Sequence, residues 1–197
     1  MTDSESSSAQ SQSVIRAEAK RKRAQLSSEQ RQEASNKIAE KLFATALFRR
    51  ANNIACYVSI EKEVSTWPII ERAWQQNKRI FAPIAEKNFV MQFRQFDDES
   101  ELFTNSFGLR EPRHGQPART DEFELVIVPL VAFDSQRNRI GMGGGYYDRA
   151  FSFLADNTEI TKPALIGLAF DCQKVEVILP NPWDIRLFQV YTETTEF

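Results

Sequence analysis

The sequence predicts an α/β protein, a three-layer domain on a mainly parallel sheet. Two observations carry that expectation. Short, wholly apolar runs, LVIV at 125–128 and ALIGLA at 164–169, read as strands buried on both faces. They alternate with helical patterns of crossover length, the arrangement that joins parallel strands. The length agrees: 197 residues make one domain, or one domain with an unstructured end, and a body of that size needs no disulfide or metal to hold its core.

Residues 1–13 are rich in Ser with almost nothing to bury, so they are expected to form a flexible tail ahead of a single domain over 14–197. Residues 14–50 read as helix, broken near Leu26, where Ser27 and Gln30 fit a capping box that starts a second helix. Ile38, Leu42, Ala46 and Leu47 mark that helix's buried stripe. A strand is expected at 54–58. Thr66, ahead of Trp67 and Pro68, fits an N-cap for a helix to about Gln76, and 79–83 returns to strand. Residues 89–96 read as a further strand, 97–105 as a short helix or turn, and 107–120, with its glycines and prolines, as loop. After the strand at 125–128 come a glycine cluster and a helix from near Tyr146. Strands at 164–169 and 188–192 close the chain.

Composition narrows the function classes. Apolar residues make up 42% and charged residues 26%, as in a soluble globular protein. With 25 basic against 27 acidic side chains, the net charge of -2 offers no general attraction to a polyanion, so no nucleic-acid partner is expected. No apolar run approaches the roughly 20 residues of a membrane helix, and the N-terminus lacks the features of a signal peptide. A cytoplasmic protein without a membrane partner is expected, and a monomer. Cys56 and Cys172 cannot supply a four-ligand zinc site and read as reduced, mostly buried thiols. His114, in a Gly/Pro loop, reads as a surface residue.

The informative segment is Arg139-Ile-Gly-Met-Gly-Gly-Gly-Tyr-Tyr-Asp148, which follows a strand and turn ending at Asp134 and precedes a helical pattern. Glycines at 141, 143, 144 and 145 allow positive φ and a close backbone approach, so successive N–H groups can converge on an anion such as phosphate. It is neither of the two commoner phosphate loops. GxGxxG needs a glycine where Tyr146 stands, and the P-loop needs a lysine that is absent from 138 to 161. A plain glycine-rich turn is the alternative, but it has no use for the flanking Arg139 and Tyr-Tyr-Asp.

That segment resembles the signature of the 5-formyltetrahydrofolate cyclo-ligase, or methenyltetrahydrofolate synthetase, family. Ile15-Arg16 with its basic helix is similar to the family's opening, and Tyr57-Val-Ser-Ile-Glu-Lys-Glu63-Val-Ser-Thr66 to its strand-loop-helix block. Gly108-Leu-Arg-Glu111-Pro112, Val128-Pro-Leu-Val-Ala-Phe-Asp134 and Pro182-Trp-Asp184 are similar to later blocks, in the expected order from about 14 to 192. The resemblance implies a fold of the sugar-phosphate isomerase and CoA-transferase type. It also implies an ATP-dependent, Mg²⁺-requiring enzyme that cyclises 5-formyltetrahydrofolate to 5,10-methenyltetrahydrofolate through a phosphorylated formyl intermediate, releasing ADP and phosphate.

On this resemblance Arg139 and Tyr147 are the catalytic candidates. ATP falls to Arg16, Lys20, Arg139, Gly141, Met142, Gly143, Gly144, Gly145, Tyr146 and Tyr147. Arg16, Lys20 and Arg23 share one helix face, which is alternatively just a solvated stripe. Where the family commonly has a lysine three residues before Ile15, this chain has Gln12. Val58, Glu63, Tyr146 and Tyr147 are the folate candidates: a carboxylate suits the donor-rich edge of a reduced pterin, and tyrosines can stack on its rings. Glu63 could instead serve only a helix dipole, and one tyrosine could be plain core. Asp148 and Asp184 match the positions around Mg²⁺, which takes one or two carboxylates; Asp148 could alternatively cap a helix. A non-catalytic nucleotide- or RNA-binding protein on the same scaffold is the competing class, and a different kinase-like or isomerase activity a third.

Overall fold

The structure is a computed structural model that describes residues 3–156 and 162–197, with side chains described for 12–155 and 162–197. It opens with α1 (Asp3–Ala24), α2 (Ser28–Phe43) and α3 (Ala46–Arg50), then β1 (Asn53–Cys56), α4 (Trp67–Gln75), β2 (Arg79–Ala85) and β3 (Met91–Phe96). There follow β4 (Leu102–Thr104), β5 (Arg110–Pro112), β6 (Pro117–Ala118), β7 (Leu125–Val128), β8 (Ala132–Phe133) and β9 (Arg139–Ile140). α5 (Tyr146–Ala150), α6 (Phe153–Asp156), β10 (Ala164–Leu168) and β11 (Gln189–Tyr191) complete the chain.

Seven strands form one sheet in the order β11-β10-β7-β1-β2-β3-β6. The five from β11 to β2 are parallel, and β3 and β6 extend the sheet antiparallel. Alternate residues of each central strand enter opposite cores. Ile54, Cys56, Leu125, Ile127, Ile166 and Leu168 pack with Ile38 and Leu42 of α2 and Ile69 and Ile70 of α4. Ala55, Val126, Val128 and Leu165 pack on the other face with Phe123, Phe133, Phe151 and Leu187. Burial of each such aliphatic or aromatic side chain is worth roughly 1.5–3 kcal/mol. The result is the expected α/β/α layering, with one helical layer thinner than the other because α5 and α6 are short.

The capping box at Ser27 is present in full: Gln30 donates its amide to the Ser27 hydroxyl, and the Gln30 side chain accepts from the Ser27 amide. Three expectations change. α1 begins at Asp3, so the backbone of 3–13 continues the helix rather than lying apart from it; residues 1 and 2 fall outside the described residues. Thr66 sits at the start of α4 but makes no side-chain cap. Its hydroxyl donates instead to the Tyr57 carbonyl at 2.8 Å and accepts from the Ser59 amide at 3.1 Å, tying the helix to the end of β1. The expected loop over 107–120 contains β5 and β6, while 97–105, expected as a short helix or turn, is a turn leading into β4. Strands of two or three residues carry too little hydrophobic alternation to be visible in sequence.

Candidate active site

From β1 the chain runs through α4 to β2 on one side, and β7 returns to the other side of β1. In a parallel sheet, ligands bind beyond the carboxyl ends of the strands at such a reversal. The candidate residues lie on three connections of the chain.

The first is the loop after β1. Val58 is buried just beyond the strand, beside the buried Tyr57. A tight turn follows, with Lys62 at φ 70°. Glu63 closes it: its amide donates to the Ile60 carbonyl and its carboxylate accepts from the Ile60 amide, both at 3.1 Å. Burial pushes the Glu63 carboxyl above its ordinary range, opposed by that amide and by the positive charge of Arg23. Tyr57 is pushed up by burial and then by the Glu63 charge, with smaller effects of Cys56 and Tyr147. Tyr147 is likewise raised, first by burial, then by Cys56, with Arg139 opposing and Glu63 adding. Tyr57 is buried, whereas Glu63 and Tyr147 are half-buried.

The second connection is the glycine loop, which a small hairpin aims. β8 and β9 pair antiparallel, and their turn is built on the buried Asp134. One carboxylate oxygen accepts from the Gln136 and Asn138 amides, and the other from the Asn138 side chain and the Ile178 amide. The chain then enters the loop with Gly143 at φ 103° and Gly145 at φ 63°, both in the left-handed region that glycine occupies freely. Arg16 of α1 reaches it from one side, its Nε donating to the Gly141 carbonyl at 2.8 Å. A Cβ on Gly143 would lie 3.9 Å from an Arg16 terminal nitrogen, so the guanidinium borders the loop. Lys20 is half-buried further along α1, and Gln12 donates to the Leu179 carbonyl at 3.3 Å. Met142 projects outward, 66% exposed.

The third is the C-terminal segment. Arg139 is buried rather than open to a ligand, with its guanidinium on Asp148 at 2.6 Å and on the Ile185 carbonyl. The same Asp148 oxygen accepts from the Ile185 amide at 3.1 Å. Arg139 and Asp148 therefore clasp the glycine loop to residues 184–187. Asp184 accepts from the Asn181 amide and side chain through one oxygen. Its carboxyl is pushed up by burial, with the neighbouring negative Asp148 adding and the Asn181 amide opposing. No cluster of three or more metal-ligating side chains is present among the described residues.

Sequence reasoning singled out Val58, Glu63, Arg16, the glycine loop, Tyr147, Asp148 and Asp184; the structure sets Arg16 against Gly141 and Gly143 and ties Asp148 to Arg139 and Ile185, while Asp184 bonds to Asn181 and lines a cavity with Pro163 and Ala164 at the start of β10. Sequence reasoning gave no site role to Tyr57, named only within the strand-loop-helix block, or to Cys56, read as a buried thiol. It mentioned Arg23 only as part of a helix face shared with Arg16 and Lys20, whereas in the fold its charge acts on Glu63 and Tyr57.

The fold is that of an α/β protein on a mainly parallel sheet, with a glycine loop bordered by Arg16 and clasped through Arg139 and Asp148 to the C-terminal segment. The chain belongs to the 5-formyltetrahydrofolate cyclo-ligase family, whose family model matches residues 8–193. It is 33% identical to the 5-formyltetrahydrofolate cyclo-ligase of Haemophilus influenzae over 92% of this chain and 97% of that one. It is 32% identical to the Escherichia coli protein of the same name, over 88% and 95%. The solved structure of Aquifex aeolicus 5,10-methenyltetrahydrofolate synthetase superposes with a TM-score of 0.79 at 27% identity, covering 94% of this chain and 91% of that one.

Proposed function

We propose that this protein is an ATP-dependent ligase that cyclises 5-formyltetrahydrofolate to 5,10-methenyltetrahydrofolate, releasing ADP and phosphate. The observation that carries the reading is the match of residues 8–193 to the cyclo-ligase family, with the family-like glycine loop bordered by Arg16. The non-catalytic nucleotide- or RNA-binding alternative finds no support among relatives named as ligases.

The chemistry needs the weakly nucleophilic formyl oxygen to be phosphorylated. The neighbouring amine then attacks the activated carbon, and phosphate departs with that oxygen. Such a transfer asks the protein mainly for positioning and charge stabilisation. The amides of Gly141, Gly143, Gly144 and Gly145, together with Arg16 and Lys20, are the groups for the triphosphate. Arg139, held by Asp148 and the Ile185 carbonyl, acts by fixing the loop's approach rather than by touching phosphate. Glu63 offers its carboxylate to the donor-rich pterin edge, with Val58 and Tyr147 as apolar walls. Asp148 and Asp184 each keep one carboxylate oxygen outside the hydrogen bonds described above, and so fit a hard cation that needs only one or two carboxylates. Mg²⁺ bound there would neutralise phosphate charge. The partners on this reading are small molecules, acting on a single domain over 14–197 that works as a monomer in the cytoplasm.

Purified protein supplied with ATP, Mg²⁺ and 5-formyltetrahydrofolate should build up the near-ultraviolet absorbance of the methenyl product. ATP turnover without that band would refute the substrate assignment.

A further inference from the structure

The residues joining β2 to β3 reach the glycine loop from the side opposite α1. Their tip holds Asn88 at φ 69° and Phe89 at φ 62°, left-handed backbone that a bulky side chain such as Phe adopts only against a steric penalty. Burial does not repay it, because Phe89 remains 53% exposed. What the conformation achieves is direction. The Phe89 ring lies 5.9 Å from the Tyr146 ring and 4.7 Å beneath the Arg149 guanidinium, and the Tyr146 hydroxyl donates to the Glu86 carbonyl at 3.0 Å. Arg149 is itself fixed by donating to the Gly144 carbonyl at 2.6 Å. The base of the tip is anchored separately: the buried Glu111 carboxylate accepts from the Ala85 amide at 2.9 Å and from the Asn105 side chain at 2.7 Å. A strained, exposed aromatic held at both ends against the site's own tyrosine is a feature that stability alone does not explain.

We propose that Phe89 is a further substrate-binding residue, an aromatic wall against which the flat ring system of the folate packs together with Tyr146. Arg16 borders the loop from the α1 side, at Gly141 and Gly143, the side that the proposed function gives to the phosphates. The hairpin tip meets the loop at Tyr146, on the β2 and β3 side, and leaves that side to the other substrate. The inference rests on the proposed activity.

Its test is steady-state kinetics, with each substrate varied in turn, on wild type, Phe89→Ala, Phe89→Gly and Phe89→Tyr, alongside thermal denaturation. Loss of one aromatic stacking wall should raise KM for 5-formyltetrahydrofolate about tenfold in the Ala and Gly variants. KM for ATP should stay within about twofold, and Phe89→Tyr should behave as wild type. Phe89→Gly should melt no lower than wild type, since glycine adopts the tip's φ without strain. A folate KM unmoved by Phe89→Ala overturns the proposal. So does an equal rise in the KM for ATP, which would put the ring against the nucleotide. A wild type that produces no methenyl band removes the activity and this inference together; a producing wild type with indifferent variants removes only the inference.

Discussion

The two ends of the parallel sheet are built to opposite rules. At the amino end, polar groups are paired off. The Glu124 carboxylate accepts from the Asn52 and Asn53 amides, and the Asn53 side chain donates to the Glu122 carbonyl. Buried Lys78 donates to the Arg49 carbonyl at 3.1 Å and the Ala51 carbonyl at 2.8 Å, closing the end of α3. Asn53 Oδ1 is the exception, buried without a partner. At the carboxyl end, the pKa values of Glu63, Tyr57 and Tyr147 are displaced upward, chiefly by burial. The tyrosines stay neutral at ordinary pH and gain from burial, so Glu63 is the group whose charge folding works against, as a carboxylate that the proposed function holds ready for a ligand.

The sharpest challenge to that division is Arg139, a carboxyl-end residue with an amino-end style of bonding. Removing one member of a buried ion pair leaves the other uncompensated, at about 3–5 kcal/mol. Arg139→Ala should therefore lose about that much in urea denaturation, and activity should fall with it as the glycine loop loses its clasp to residues 184–187. Asp148→Asn, which keeps an acceptor for both Arg139 and the Ile185 amide, should lose less. A cost below about 1 kcal/mol for Arg139→Ala would mean that the guanidinium is not committed to Asp148, and would return it to the direct phosphate role that the sequence resemblance suggests.

Lys78→Met should produce the complementary result. The Arg49 and Ala51 carbonyls lose their donor while the aliphatic stem is kept, costing about 1–3 kcal/mol, which is several degrees in Tm for a chain this long. KM for both substrates should stay within about twofold of wild type, because Lys78 lies at the far end of the sheet. A KM that moved with Tm would show that the two ends are not independent.

Much of this was legible in the sequence because it is local. The capping box at Ser27, the apolar runs of β7 and β10 and the glycine segment announce themselves within a few residues. What was not legible depends on distant partners. Thr66 has the residue type of an N-cap, yet its hydroxyl is spent on Tyr57, nine positions away. Arg139 carries the right charge for a phosphate, but Asp148 and Ile185 claim it only once the C-terminal segment folds back. Tyr57 is one more aromatic in a strand until the turn at Lys62 carries Glu63 back toward it.

Glu63 gives the smallest expected effect on stability and the cleanest sign. Its carboxyl is raised above the ordinary value in the folded chain, so the folded state binds that proton more tightly than the unfolded state does. The stabilisation is complete below the unfolded carboxylate's pKa and is lost as pH rises through the raised folded value. Glu63→Gln keeps an acceptor for the Ile60 amide but has nothing to ionise. Wild type and variant should therefore be equally stable in acid and separate as pH rises, with the variant the more stable at neutral pH. The same substitution should raise KM for the folate while leaving KM for ATP unchanged. Urea melts from acid to neutral pH decide the first point and kinetics the second. A variant less stable at neutral pH would mean that Arg23 already compensates the Glu63 charge in the free protein, and that the carboxyl end of the sheet is as self-satisfied as the amino end.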